Sequence, residues 1–182
     1  MTEVISHTGR RLHIGGTLRA AGWEVLNVVP GEHVDHVGRA EDLSQFPDDE
    51  FDAIYASHVL EHLAPRGPLE TGLREWHRVL RPGGRLYVSV PDLDVLARLY
   101  VDRERLDANE RFQVMLMMFG AHADPHDRHE IGFNDEGLGH FLRAAGFVNV
   151  LRVKSLGKFR DTSELEFKGV RISLNIVAEK PA

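Results

Sequence analysis

Two histidines and a glutamate share one short stretch, SHVLEH, from Ser57 to His62. A helix beginning just after Ser57, with that serine as its N-cap, would put His58, Glu61 and His62 on one face through their i, i+3, i+4 spacing. Two imidazoles and a carboxylate would then converge. Imidazole titrates near neutral pH, so a histidine here can take a proton from a hydroxyl or amine as that group becomes a nucleophile. The bland alternative is that His58 lines a pocket without moving a proton, while Glu61 and His62 serve the structure only. A second concentration of the same groups, HADPHDRHE from His122 to Glu130, has the composition of a loop.

These residues need a scaffold. Phe51 to Ala56, FDAIYA, reads as a buried strand that delivers Ser57 and His58 at its carboxyl end. A helix ending in HRVLRPGG and a second strand, RLYVSVPD, follow. Further strands fit Arg11 to Ile14, Glu24 to Val29, Val34 to Val37, Val148 to Lys154 and Val170 to Glu179, with β-branched residues and Gly or Pro borders. Helices fit Pro68 to Leu80, Leu93 to Phe119 in one or two pieces, and Asp135 to Ala145 before Gly146. Such alternation implies an α/β parallel sheet, in which ligands bind at the carboxyl ends of strands. The last two strands have only a loop, Ser155 to Gly169, between them and should pair antiparallel.

Composition narrows the classes. A chain of 182 residues with 42% hydrophobic content suits a single domain over residues 1–182. No apolar run reaches the ~20 residues that cross a bilayer, and the first residues lack the apolar stretch of a signal peptide, so the expectation is a cytoplasmic protein without a membrane partner. With zero cysteines, disulfides and thiolate chemistry are excluded. The net charge of −6, with Lys and Arg scattered, offers no stripe for nucleic acid.

The segments LHIGG (Leu12 to Gly16), FDAIYASHVLEH, RVLRPGGRLYVSVPD, AAGF (Ala144 to Phe147) and SLNIVAEK (Ser173 to Lys180) together resemble class I S-adenosylmethionine-dependent methyltransferases, in particular the small bacterial group related to the methyltransferase type 11 family. The resemblance spans nearly the whole chain. It implies a Rossmann-like, seven-stranded, mainly parallel sheet in the order 3-2-1-4-5-7-6, with strand 7 antiparallel. S-adenosylmethionine is the implied cofactor, with Gly15 and Gly16 at its methionine end, Asn27 at the ribose, Ala40, Glu41 and Asp42 at the adenine, Leu43 packed beneath the ring, and Ser57 and His58 beside them. His58, His62 and His129 are the implied catalytic candidates, and Phe133 is placed with His129 against the acceptor.

Three departures from the family pattern stand out. The glycine-rich turn is reduced to Gly15 and Gly16, with about seven residues before the second strand, so the first crossover has room only for a turn. Asn27 stands where an acid usually holds the ribose, and Arg39 takes the place of the acid after strand three. Some methyltransferases place a Glu-x-x-Glu-His motif and a later His around a divalent metal. Here the matching residues are His58, Glu61 and His62, with His122, Asp124, His126, Asp127 and His129 as later candidates, and a nitrogen-rich set of this kind suits zinc or iron over magnesium. The metal assignment stays open at this point. The expected activity is methyl transfer from S-adenosylmethionine to an O or N nucleophile of a small-molecule or glycan-like acceptor. The alternative is a noncatalytic cofactor-binding or scaffold protein of the same fold. A nicotinamide-dependent oxidoreductase is excluded by the lack of G-x-G-x-x-G after strand one. Because the truncated crossover should leave part of the sheet bare, a homodimer is expected.

Overall fold

A computed structural model describes residues 9–123 and 127–182. Its centre is β4 (Phe51–Ser57), whose side chains are almost all buried because the strand is covered on both faces. Around it lie β1 (Arg11–Ile14), β2 (Glu24–Asn27), β3 (His36–Val37), β5 (Leu80–Pro91), β6 (Val148–Val153) and β9 (Ser173–Glu179), in the order β3-β2-β1-β4-β5-β9-β6. The first five run parallel, whereas β9 is inserted antiparallel between β5 and β6. This is the order implied by the resemblance, with β9 as the seventh strand of the sheet.

The helices follow their caps. α1 (Pro68–Val79) starts on a proline at its first turn and buries Leu69, Gly72, Leu73, Trp76 and Val79 at helical spacing. Asp92 caps α2 (Leu93–Val101), a capping box of Asp107 and Glu110 starts α3 (Ala108–Phe119), and Asn134 caps α4 (Asp135–Ala144). The expected strands at 24–29 and 34–37 are shorter, ending at Asn27 and starting at His36. The Pro-Gly-Gly turn is absorbed into β5, where the register against β4 shifts between Phe51 and Ala53.

Two regions depart from expectation in a way that matters. The strand expected over Val170 to Glu179 breaks at Ile172; β8 (Val170–Arg171) pairs instead with β7 (Glu166–Phe167), which lies in the expected loop, to form a small ribbon. More consequentially, no helix joins β1 to β2, but the sheet there is not bare. Residues 158–164 fold back over it: Phe159 packs 4.4 Å from His13, 4.5 Å from Tyr55 and 5.3 Å from Trp23, measured between ring centres. The Tyr55 hydroxyl donates to Asp161 Oδ2 at 2.7 Å, and Ser57 Oγ meets Thr162 Oγ1 at 3.1 Å. A late loop thus does the work of the missing crossover helix, and the bare sheet on which the expected homodimer rested is covered among the described residues.

Candidate functional site

At the carboxyl ends of β1, β2, β3 and β4 opens a cavity of about 570 Å³, within the size range of small-molecule sites. Gly15, Asn27, Ala40, Glu41 and His58, all singled out from the sequence, line it. Gly15 is fixed by both backbone and space: its φ is +74°, its N–H donates to the Leu26 carbonyl at 2.8 Å, and a Cβ would stand 2.6 Å from Val59 Cγ2. The remaining cofactor candidates lie outside the wall. Gly16 packs against the His13 ring, Asp42 is exposed and accepts from the Ser44 amide, and Leu43 is fully buried in the core. Ser57 does not cap a helix; it is the last residue of β4, and its hydroxyl faces Thr162 under the covering loop.

Asn27 is spent largely on the backbone. Its Nδ2 donates to the Gly16 carbonyl at 3.0 Å and its Oδ1 accepts from the Val29 amide at 2.9 Å, tying the turn after β1 to the end of β2. One N–H and one lone pair remain for a ribose. Arg39 pairs with Glu41 across the cavity wall, Nε to Oε1 at 2.6 Å, so the positive charge in the acid's usual place is neutralised locally. Trp76 donates from its indole to the Ala40 carbonyl at 2.7 Å and holds that backbone in place from below.

The expected helix after Ser57 is instead a single 3-10 turn over Leu60–His62, entered through His58 in the left-handed region at φ +55°. That conformation is uncommon for a residue with a side chain and marks a site where the surroundings dictate the backbone. The His58 amide donates to the Ser89 carbonyl at 2.8 Å. Ser173 Oγ donates its one hydrogen to the Thr162 carbonyl at 2.7 Å, so the 3.1 Å contact with His58 Nε2 requires the imidazole to donate. Nδ1 of His58 then faces Glu61 Oε1 at 3.2 Å, out of line for a hydrogen bond. Both ring nitrogens of His58 are therefore turned toward protein groups.

His62 and His129 do meet, with ring centres 5.0 Å apart. Three main-chain contacts bring them together: the Glu130 amide donates to the Glu61 carbonyl at 2.7 Å, the His129 amide to the Phe119 carbonyl at 3.1 Å, and His62 Nδ1 to the Arg128 carbonyl at 3.0 Å. Burial pushes the His129 imidazole below its ordinary pKa. The rest of the histidine-rich run does not join them. His122 bonds the Phe119 carbonyl and Asp127 accepts from the Ala123 amide, both within their own loop, while Asp124 and His126 fall outside the described residues. Phe133, expected against the acceptor, is a core residue only 1% exposed. The sequence reading missed Val28, Val59, Leu63, Arg128 and Glu130 in the cavity wall; only the last two carried a signal, through the loop composition of their segment.

The sheet order is that of class I S-adenosylmethionine-dependent methyltransferases, and solved structures agree. The chain aligns with a methyltransferase of Thermotoga maritima described as a possible histamine N-methyltransferase, at a TM-score of 0.59 and 23% identity, covering 94% of this chain and 82% of that one. A 1,6-didemethyltoxoflavin-N1-methyltransferase from Burkholderia thailandensis, with bound 1,6-didemethyltoxoflavin and S-adenosylhomocysteine, aligns at 0.57 and 22% identity over 97% and 74%. Residues 23–88, about a third of the chain, match the type 11 family of methyltransferase domains. The resemblance read from the sequence is thereby borne out. Among curated proteins, the ubiquinone/menaquinone biosynthesis C-methyltransferase UbiE of Enterobacter sp. (strain 638) is 32% identical over 105 residues, which is 54% of this chain and 41% of that protein. The match thus spans about two fifths of that relative's length.

Proposed function

We propose that this chain, acting as one domain over residues 1–182, transfers a methyl group from S-adenosylmethionine to a small-molecule or glycan-like acceptor. The single observation that carries the reading is the cavity at the carboxyl ends of β1 to β4, lined by Gly15, Asn27, Ala40, Glu41 and His58. Its size and donor set fit the cofactor: open backbone at Gly15 for the methionine end, the spare amide hydrogen and lone pair of Asn27 for the ribose, and the Ala40–Glu41 backbone for the adenine. The cofactor supplies a methyl group already activated on a sulfonium, so that as the acceptor's lone pair bonds the methyl carbon the carbon–sulfur bond breaks, sulfur keeps the electron pair, and the acceptor gives up its proton. What the chain must add is alignment and a destination for that proton. The cluster of Glu61, His62 and His129, adjoining the cavity through His62, is the destination this reading assigns, with His58 positioning Glu61 from the other side.

The imidazoles at the cavity wall support an O or N acceptor. The C-methyltransferase relatives favour a second reading, methylation of a ring carbon made nucleophilic by loss of a neighbouring hydroxyl proton. Both use the same cluster. Among the described residues no helix is long and apolar enough to cross a membrane, and the setting we propose is the cytoplasm. Calorimetric titration with S-adenosylmethionine and S-adenosylhomocysteine is the test. Micromolar binding of either is expected; no binding of both by folded protein would replace this reading with the noncatalytic scaffold.

A further inference from the structure

The least explained group in the described structure is the Glu61 carboxylate. Its side chain is 1% exposed, and neither oxygen accepts a hydrogen bond among the described residues. A buried carboxylate left so is costly, and His58 Nδ1 at 3.2 Å faces only one of its oxygens. Beside it stand His62 and His129, each committed in the same way: Nδ1 of His62 donates to the Arg128 carbonyl at 3.0 Å, and Nδ1 of His129 to the Met118 carbonyl at 3.1 Å. A neutral imidazole that donates from Nδ1 keeps its lone pair on Nε2. Histidines that bind metals are held in this manner, with the second nitrogen fixed by a carbonyl or carboxylate.

We infer that Glu61, His62 and His129 form a binding site for a divalent transition ion of the zinc class. One ligand atom from each of the three lies within 4.8 Å of the others. Ligands ~2.1 Å from a common ion stand roughly 3–3.5 Å apart, so a closure of at most about 1.8 Å completes the set. Two imidazoles and one carboxylate suit zinc, iron or cobalt, and are a poor set for magnesium or calcium, which take oxygen. Three protein ligands also leave coordination positions open, as reactive rather than structural sites do. His62 belongs to the cavity wall, so the ion borders the space assigned to the acceptor. In this one respect the inference rests on the methyl-transfer reading: an acceptor hydroxyl bound to the ion would lose its proton near neutral pH to solvent in the open cavity, since with the ion bound the lone pairs of Glu61, His62 and His129 would be taken up as ligands. His58 is then a positioning residue, anchored through Ser173 to the Thr162 carbonyl and set against Glu61 Oε1.

The experiment uses the full, untagged chain stripped of metal. Zinc is titrated by calorimetry and by its effect on the melting temperature, and cobalt by its visible absorption. The expected result is one equivalent per chain, a zinc-dependent rise in melting temperature, and a cobalt spectrum of nitrogen and oxygen ligation. Glu61→Gln keeps the volume and removes the charge; together with His62→Gln, whose side chain is only half-buried, it should weaken zinc binding at least tenfold and abolish the thermal rise while the far-ultraviolet dichroism is unchanged. Failure of folded wild-type protein to bind zinc stoichiometrically would overturn the inference. So would binding unaffected by either substitution, which would move the ion to the loop around His122 and Asp127. Titration of S-adenosylmethionine on the same preparations separates the two readings, since cofactor binding without zinc binding sinks the ion and spares methyl transfer, and the converse does the reverse.

Discussion

The Asn27 side-chain amide bridges the Gly16 carbonyl and the Val29 amide, two bonds that hold the turn after β1 against the end of β2. Restoring the family's usual acid should therefore fail. Asn27→Asp cannot donate to Gly16 and sets a carboxylate against that carbonyl, so a loss of about 1–2 kcal/mol in urea denaturation is expected, with no gain in S-adenosylmethionine affinity. His13 makes a pH prediction of the same scale. Its ring is buried among Tyr55, Phe159 and Gly16 with the Asp161 carboxylate nearby, and burial lowers its pKa to about 4. The unfolded chain protonates this residue below about pH 6.5 while the folded one stays neutral, so stability is complete above that pH and is lost as pH falls from 6.5 to 4, by on the order of 3 kcal/mol in all. His13→Gln should flatten that stretch of the stability-against-pH curve relative to wild type; an unchanged slope would show the histidine is not responsible. The chemistry-bearing types at His58, Glu61, His62 and His129 were visible in the sequence. Which nitrogen each ring offers was not, since the carbonyl that fixes His62 lies 66 residues away.

Among the elements, the most strongly patterned were the most legible. Phe51–Ser57 is a mainly apolar run of strand length, interrupted only by Asp52 and closed by Ser57, and α1 carries its buried residues at helical spacing after a proline, so both could be placed within a residue or two. The covering segment 158–164 could not. It has one large apolar residue, Phe159, among charged neighbours, and no period that distinguishes it from a solvated turn. Phe159→Ala tests its importance: loss of the ring from His13, Tyr55 and Trp23 should cost about 2 kcal/mol and expose Tyr55 to solvent, read by urea denaturation and tyrosine fluorescence. The loop that carries His129 depends on a different feature. Gly120 sits at φ +81°, and a Cβ there would lie 2.1 Å from the Asp127 carbonyl oxygen, so the backbone rather than a flexible side chain would have to yield. Gly120→Ala is expected to displace His129 from His62 and to weaken zinc binding well before global stability suffers. Undiminished zinc affinity in that variant would mean the loop tolerates the methyl group.

For the molecule as a whole, sheet order and strand direction followed from alternation and resemblance, while the surface did not. With the sheet over β1 and β4 covered, the exposed apolar side chains that could support a homodimer include Tyr100, Val101, Phe112 and Phe119 on α2 and α3. We expect light scattering to give twice the chain mass and Phe112→Asp to halve it; a monomer at high concentration would end that proposal. The covering loop also bears on how the chain is made. The Tyr55 hydroxyl and the Asp161 that receives it are separated by 106 residues, and His58 and Ser173 by 115. At a synthesis rate of roughly 5–20 residues per second, β1 and β4 leave the ribosome some 5–20 s before their cover exists. During that interval Trp23 and Tyr55 face the cell uncovered, and β5 waits with an open edge for β9. This protein is therefore most exposed to misassembly at the moment of its birth, and its dependence on chaperones should exceed what its small size implies.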